Sequence, residues 1–200
     1  MNKSLFIIPV LLGLAVSSAA IAGEAPLKFV ANDSAGRNNV TFKSEAPLED
    51  IVGTTNQLTG HINFDPGNPG KGASAEFTVP VASMTTGIPL RDEHMKSKGW
   101  LNAADYPEIR LRLDRVTEAE LVSNSGGART FNLKVSGELT LHGSTAPVEV
   151  AARVSYLPES EQTRKRLPGD LLAVRARFPV RLADFGITGP EGSGTIGSKV

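Results

Sequence analysis

The chain has 200 residues, no cysteine, and 21 Lys and Arg against 21 Asp and Glu. The balanced charge argues against nucleic-acid binding and against a polybasic membrane surface. The absence of cysteine excludes disulfides, thiol nucleophiles and Cys-based zinc or iron–sulfur sites. A chain of this length can bury enough apolar surface to fold as one domain without them.

The first 22 residues have the pattern of a secretory signal peptide. Lys3 provides the charged region, Leu5 to Val16 the apolar region, and Ala20 to Ala22 a small-residue cleavage site. The apolar run is too short for a membrane span. We therefore expect a signal peptide over 1–22 and one mature domain over 23–200, located in the periplasm or secreted, with no transmembrane segment.

The mature chain alternates apolar and polar residues, which is typical of β-strands with one buried face. The alternating stretches, in chain order, are NVTFKS (39–44), QLTGHINFD (57–65), AEFTVPVAS (75–83), EIRLRLD (108–114), FNLKVSGELTL (131–141), VEVAARVSY (148–156) and AVRARFPVRL (173–182). Turn-forming stretches at 65–72, 123–127, 142–147 and 158–170 separate them.

No long amphipathic helix follows the signal, so the apolar strand faces must pack against each other. The pattern predicts an all-β fold, a single antiparallel barrel of about eight strands. Aromatic residues make up 6% of the chain and many inward positions are small. This composition favours a tubular cavity over a solid core.

The segment TTGIPLRDEHMKSKGW (85–100) predicts a short helix near 92–98 that plugs one end of the barrel. We expect Asp92 to cap this helix, Arg91 to pair with a carboxylate or loop carbonyls, and His94 to hold the plug in place. A catalytic alternative makes His94 a general base oriented by Asp92. No nucleophile motif accompanies them, so we predict no catalytic residue.

The histidines His61, His94 and His142 stand far apart in the sequence, without metal-ligand spacing. We therefore predict no metal site and no cofactor. His142 precedes Gly143 in a hairpin, where we expect it to bond turn backbone. Trp100 is interpreted as an anchor in the core or at the rim. A ligand's polar head group is an alternative contact for these motif residues.

Two motifs resemble the YceI-like family. The first is PLRDEHMKSKGWLNAADYPEIRLRL (89–113), and the second is VSGELTLHGSTAPVEV (135–150). The resemblance implies a periplasmic lipocalin-like barrel that binds polyisoprenoid lipids. In that family the segment corresponding to GTIGSKV (194–200) leads into a final closing strand. Because this chain ends at Val200, we expect either a missing last strand or an open edge that allows homodimer formation.

The resulting hypothesis is a lipid-binding protein that is not an enzyme and holds a polyisoprenoid or isoprenoid-quinone-like chain. Alternation assigns the following residues to the apolar lining: Phe42, Ile62, Phe77, Val79, Leu111, Leu133, Val135, Leu139, Leu141, Val150 and Phe178. One alternative is a structural or interaction module of the cell envelope with a packed interior. A weaker alternative is a metal-dependent enzyme that uses Arg91, Asp92, His94 and His142.

Overall fold

The computed structural model describes residues 26–31, 36–45, 50–165 and 167–189. The predicted signal peptide and the last eleven residues, 190–200, lie outside this part of the chain. The strands are β1 (Leu27–Val30), β2 (Val40–Glu45), β3 (Asp50–Thr55), β4 (Thr59–Phe64), β5 (Ser74–Pro80), β6 (Glu108–Ser125), β7 (Ala128–Leu141), β8 (Ser144–Leu157) and β9 (Leu171–Arg177). The α-helices are α1 (Pro89–Lys96) and α2 (Glu161–Arg164), and 3₁₀ turns cover Val81–Ser83 and Leu182–Phe185.

Seven strands form one antiparallel sheet in the order β1-β4-β5-β6-β7-β8-β9, and β2 and β3 form a separate hairpin. The sheet is strongly curled into a half-barrel, which confirms the predicted all-β, lipocalin-like class. Each predicted strand is present, but β1 and β3 were missed. Strand β3 was missed because it has few apolar side chains.

The curl of the sheet is visible in two aromatic contacts between distant strands. Phe64 on β4 and Phe131 on β7 have ring centroids 5.7 Å apart, although a flat sheet would separate these strands by about 14 Å. Phe29 on β1 and Tyr156 on β8 are 6.3 Å apart, against about 24 Å in a flat sheet. The inner face of the sheet therefore folds onto itself.

Two tight hairpins link β6 to β7 and β7 to β8. His142 and Gly143 have φ values of 51° and 74°, and Leu141 pairs with Ser144 across them. Gly126 and Gly127 connect β6 to β7 with φ values of 61° and 79°. Positive φ at both central residues defines the type I′ turn, which matches the twist of the adjoining strands. The predicted hairpin at 142–147 is confirmed.

Strand β6 is longer than predicted and irregular. It spans 18 residues, whereas alternation predicted a strand ending at Asp114. The pairing of β6 with β7 shifts between Leu113 and Arg115, between Val116 and Glu118, and between Leu121 and Ser123. Such β-bulges bend a strand and increase its twist. They also break the strict alternation, so the sequence pattern ended where the first bulge occurs.

Apolar side chains on the inner face form two clusters. The central cluster contains Phe64, Ala75, Leu113, Phe131, Leu133, Val135, Val150 and Val154. The end cluster contains Leu139, Leu141, Phe185 and Ile187. None of the helices in the described ranges is both long and apolar enough to cross a bilayer.

Candidate functional site

All of the predicted lining residues except Phe42 lie on or against the inner face of the half-barrel. Leu133, Val135 and Val150 belong to the central cluster, with Ile62, Phe77, Leu111 and Phe178 packed against it. Leu139 and Leu141 belong to the end cluster, and Val79 is buried on the same face of β5 as Ala75. Phe42 lies on the separate hairpin, where its ring occupies the space beside Gly53. Contact between these residues and a lipid stays a prediction.

An open groove with a volume of about 1030 Å³ crosses β6, β7, β8 and β9. One row of side chains passes from strand to strand along it, because Ala119 pairs with Leu133, Leu133 with Ala152, and Ala152 with Ala176. Ala119 and Ala176 are exposed and Ala152 is half-buried. The inner face is therefore accessible here, over side chains that are mostly small.

The remaining lining includes residues that were not predicted, namely Asn39, Thr41, Glu118, Glu120, Asn132, Lys134, Ala151, Arg153, Val174, Arg175 and Arg177. Among the predicted lining residues, Leu133 borders the groove. Ala152 and Ala176 are among the small inward positions that favoured a cavity in the sequence. Alternation identified the large apolar side chains instead, and those mostly fill the two clusters.

Beyond the groove, one end of the half-barrel is closed by aromatic and polar contacts. The guanidinium of Arg129 lies 5.1 Å from the centroid of the Tyr156 ring and donates a hydrogen bond to the carbonyl of Pro66. The Tyr156 hydroxyl donates to Asp170 over 2.7 Å. Burial raises the pKa of Tyr156, and the hydrogen bond to Asp170 adds to this. These contacts tie β4, β7 and β8 to the start of β9.

The opposite end is covered by residues that follow α1, together with the last 3₁₀ turn. The side chains of Trp100 and Leu101 pack against the end cluster. Phe185 and Ile187 of this cluster come from the C-terminal part of the chain. Helix α1 itself has no buried residue, and Leu90 is 61% exposed. Trp100 thus lies where the sequence placed an anchor, and Phe185 was missed because its partners are distant in sequence.

The predicted helix begins earlier than expected, and Asp92 has a different role. Pro89 starts α1 and Ile88 is its N-cap residue, since proline is favoured in the first turn. Asp92 lies inside this turn, and its carboxylate accepts hydrogen bonds from the Thr85 hydroxyl and from the hydroxyl and backbone N–H of Thr86. These bonds lower the pKa of Asp92 to about 2. The carboxylate therefore fixes the loop before the helix.

This loop also holds the separate hairpin. The backbone of Thr54 on β3 exchanges two hydrogen bonds with Thr85, of 2.8 and 3.0 Å. Asp92 thus supports a segment that joins α1 to the β2–β3 hairpin. His94 lies exposed on α1, and Arg91 is partly buried.

His142 connects three parts of the chain at the covered end. Its Nδ1 lies 3.2 Å from the carbonyl oxygen of Phe185, and its ring meets the Tyr106 ring edge to face at 4.7 Å. The expected bond to turn backbone is therefore made to the 3₁₀ turn at Leu182–Phe185 and not to its own hairpin. Tyr106 also lies over Gly143, where an added Cβ would come within 2.5 Å of the ring.

The three histidines lie apart: His61 on β4, His94 on α1 and His142 in the β7–β8 turn. Within the described ranges, no group of three or more His, Cys, Asp or Glu side chains is arranged to hold a metal ion.

Comparisons with known proteins place this architecture in a family. The YceI-like domain family matches residues 33–200. A UPF0312 protein of Pseudomonas savastanoi pv. phaseolicola is 30% identical over 183 residues, covering 90% of this chain and 88% of the relative. A UPF0312 protein of Pseudomonas fluorescens is 34% identical over 145 residues, covering 71% of each chain.

Among solved structures, Burkholderia cenocepacia BcnA has the same fold, with a TM-score of 0.52 and 17% identity, covering 80% of this chain and 89% of BcnA. The motifs at 89–113 and 135–150 form the segments around α1 and the β7–β8 hairpin in this fold. The chain belongs to the YceI-like family.

Proposed function

We propose that this protein is a periplasmic or secreted carrier that holds a long apolar lipid, such as a polyisoprenoid or isoprenoid quinone, and is not an enzyme. The observation that carries the proposal is the groove of about 1030 Å³ over the row Ala119, Leu133, Ala152 and Ala176. Small side chains leave room beside the inner face, and the volume of the groove lies near the upper end of the range for small-molecule pockets.

The energetics favour an apolar chain as ligand. Burial of each methylene group contributes about 0.8 kcal/mol, so ten buried groups offer about 8 kcal/mol before the costs of ordering the ligand. Most charged residues along the groove are next to an inner-row residue in their strand, so they belong to the outer face of the sheet. An apolar ligand on the inner row therefore needs no polar partner along most of its length.

Membership of the YceI-like family supports the same proposal, because the resemblance implies polyisoprenoid binding. The pattern of residues 1–22 supports export. The absence of a recognisable nucleophile motif supports a binding role over catalysis.

The test compares two alanines of β9 that differ in the face they occupy. Ala176 borders the groove and pairs with Ala152, whereas Ala173 pairs with Ser155 on the other face. Both are exposed, so neither substitution disturbs the core. We expect Ala176→Phe to reduce uptake of a polyprenol, measured by native mass spectrometry, and Ala173→Phe to leave uptake unchanged. Equal uptake by both variants would contradict the assignment of the groove.

A second candidate function rests on the aromatic contacts inside the half-barrel. Phe64 with Phe131 and Phe29 with Tyr156 fill the interior at one end. A packed interior fits a structural or interaction module that uses an open sheet edge. Protein purified from its own host distinguishes the two candidates. A co-purified hydrocarbon mass supports the carrier, and protein that stays empty after incubation with polyprenols and quinones supports the module.

A further inference from the structure

The outer face of the sheet pairs its charges by opposite sign across neighbouring strands. Arg112 on β6 lies between Glu76 on β5 and Glu138 on β7, and its distance to Glu138 is 3.6 Å. Lys134 on β7 lies opposite Glu118 on β6, with an ion pair of 2.7 Å. Such pairs favour the observed strand register.

Strands β8 and β9 break this pattern with three arginines. Arg153 lies directly opposite Arg175, and Arg177 follows on the same face two residues along β9. All three are exposed, and none forms an ion pair with another residue in the described ranges. Glu149 on β8 lies diagonally from Arg177. Like charges directly opposite each other destabilise a sheet. The Arg153–Arg175 pair therefore opposes folding, whereas the opposite-charge pairs elsewhere on the outer face favour it.

A local rule that is broken without compensation is expected where function requires it. We propose that Arg153, Arg175 and Arg177 form a docking surface for an anionic phospholipid bilayer. This inference rests on the proposed function, because a carrier of a membrane lipid must load and unload its cargo at a bilayer. Guanidinium groups bind phosphate oxygens through paired hydrogen bonds. The backbones of Arg153 and Arg175 are about 5 Å apart on neighbouring strands, and the backbones of Arg175 and Arg177 are about 7 Å apart along β9.

The chain's net charge of zero does not oppose this inference. The balance between 21 basic and 21 acidic residues argues against a chain that is basic throughout, but it does not describe how charges are distributed. On β5, β6 and β7 the acidic residues neutralise their basic neighbours. Glu149 balances Arg153 in the charge of β8, so the excess positive charge lies with Arg175 and Arg177 on β9, the edge strand of the sheet. Three charges at a surface suit weak and reversible docking.

The decisive variant is Arg175→Glu. It places a carboxylate opposite Arg153 and so restores the opposite-sign pairing of the neighbouring strands, and we expect the midpoint of thermal unfolding to stay equal or rise. Two positive charges are lost to the bilayer, one by reversal and one by pairing. At about fivefold per charge, binding to anionic vesicles should fall more than tenfold. Arg115→Glu is the matched control, because Arg115 is an exposed arginine of β6 hydrogen-bonded to Ser136.

The assay is co-sedimentation with phosphatidylcholine vesicles, with and without phosphatidylglycerol, at low and high salt. We expect the wild type to bind the phosphatidylglycerol vesicles and to dissociate from them at high salt. Arg175→Glu should lose this binding, and Arg115→Glu should retain it. Indifference of the wild type to phosphatidylglycerol overturns the inference and leaves the arginines as charges that protect an edge strand. Equal losses in both variants overturn it as well, since they indicate net charge alone.

Failure of this inference is distinguishable from failure of the proposed function. Native mass spectrometry of the wild-type protein measures lipid cargo in solution. A wild-type protein that carries lipid but does not bind anionic vesicles contradicts the docking surface and leaves the carrier intact. An empty wild-type protein contradicts the carrier, whatever the vesicles show.

Discussion

The contact between Phe64 and Phe131 gives a direct test of the curled interior. Both residues are nearly inaccessible, at 1% and 3% exposure, and their rings meet edge to face across two intervening strands. Because the sheet curls, these two side chains contact each other and their contributions to stability are coupled, although the sheet's hydrogen bonds do not join their strands.

The magnitude follows from burial and ring geometry. Truncation of either residue to alanine removes a buried ring and should lower the free energy of unfolding by about 3–5 kcal/mol. Substitution by leucine retains most of the apolar volume and isolates the aromatic contact. Edge-to-face pairs contribute about 0.5–1.5 kcal/mol beyond their buried area. The coupling energy between Phe64→Leu and Phe131→Leu should therefore lie in this range.

The assay is a double-mutant cycle by urea denaturation, with both single variants and the double variant. Phe77→Leu combined with Phe131→Leu is the control, because Phe77 lies on β5 and is not in a ring contact with Phe131. Additive effects of Phe64→Leu and Phe131→Leu would refute the curled interior at this level. They would indicate that the rings of Phe64 and Phe131 are not in contact.

Three further predictions concern the ends of the half-barrel. Gly143→Ala should lower the free energy of unfolding by at least about 1–2 kcal/mol in chemical denaturation, because φ is +74° and the new methyl group meets the Tyr106 ring. Asp92→Asn should destabilise the protein at neutral pH. Folding lowers the pKa of Asp92 from 3.8 to about 2. The stabilisation by its carboxylate is therefore complete above pH 3.8 and is lost as the pH falls to about 2. The melting temperatures of the variant and the wild type should converge at that pH. Tyr156→Phe removes the hydrogen bond to Asp170 and should cost about 1 kcal/mol, and an unchanged unfolding midpoint in urea would contradict that bond.

The sequence predicted the strands and turns well because their signals are local. The alternation in β7 and β8 and the residues His142 and Gly143 each carry a conformational preference that needs no tertiary contact. The partner of His142 was not predictable in this way, since Phe185 is 43 residues away. Asp92 was assigned to the wrong position in the helix because Pro89, three residues earlier, is an equally good start signal.

The candidate site was predicted less completely than the fold. Large apolar residues such as Leu139 and Val150 were assigned to a lining, yet they belong to packed clusters. Alternation identifies the face on which a side chain lies, but it does not distinguish a residue beside a void from one that fills it. The groove depends on small residues, such as Ala119, whose neighbours come from three other strands.

The bulges of β6 have a consequence for colloidal behaviour at high concentration. Beyond Leu113 the strand pairs with β7 but extends past the register of β5, so its other side offers backbone groups to neighbouring molecules. A second chain would need regular spacing to add itself there, and the irregular positions near Arg115, Glu118 and Ser123 interrupt that spacing. The bulges that bend β6 therefore also protect its free side against the addition of a second chain.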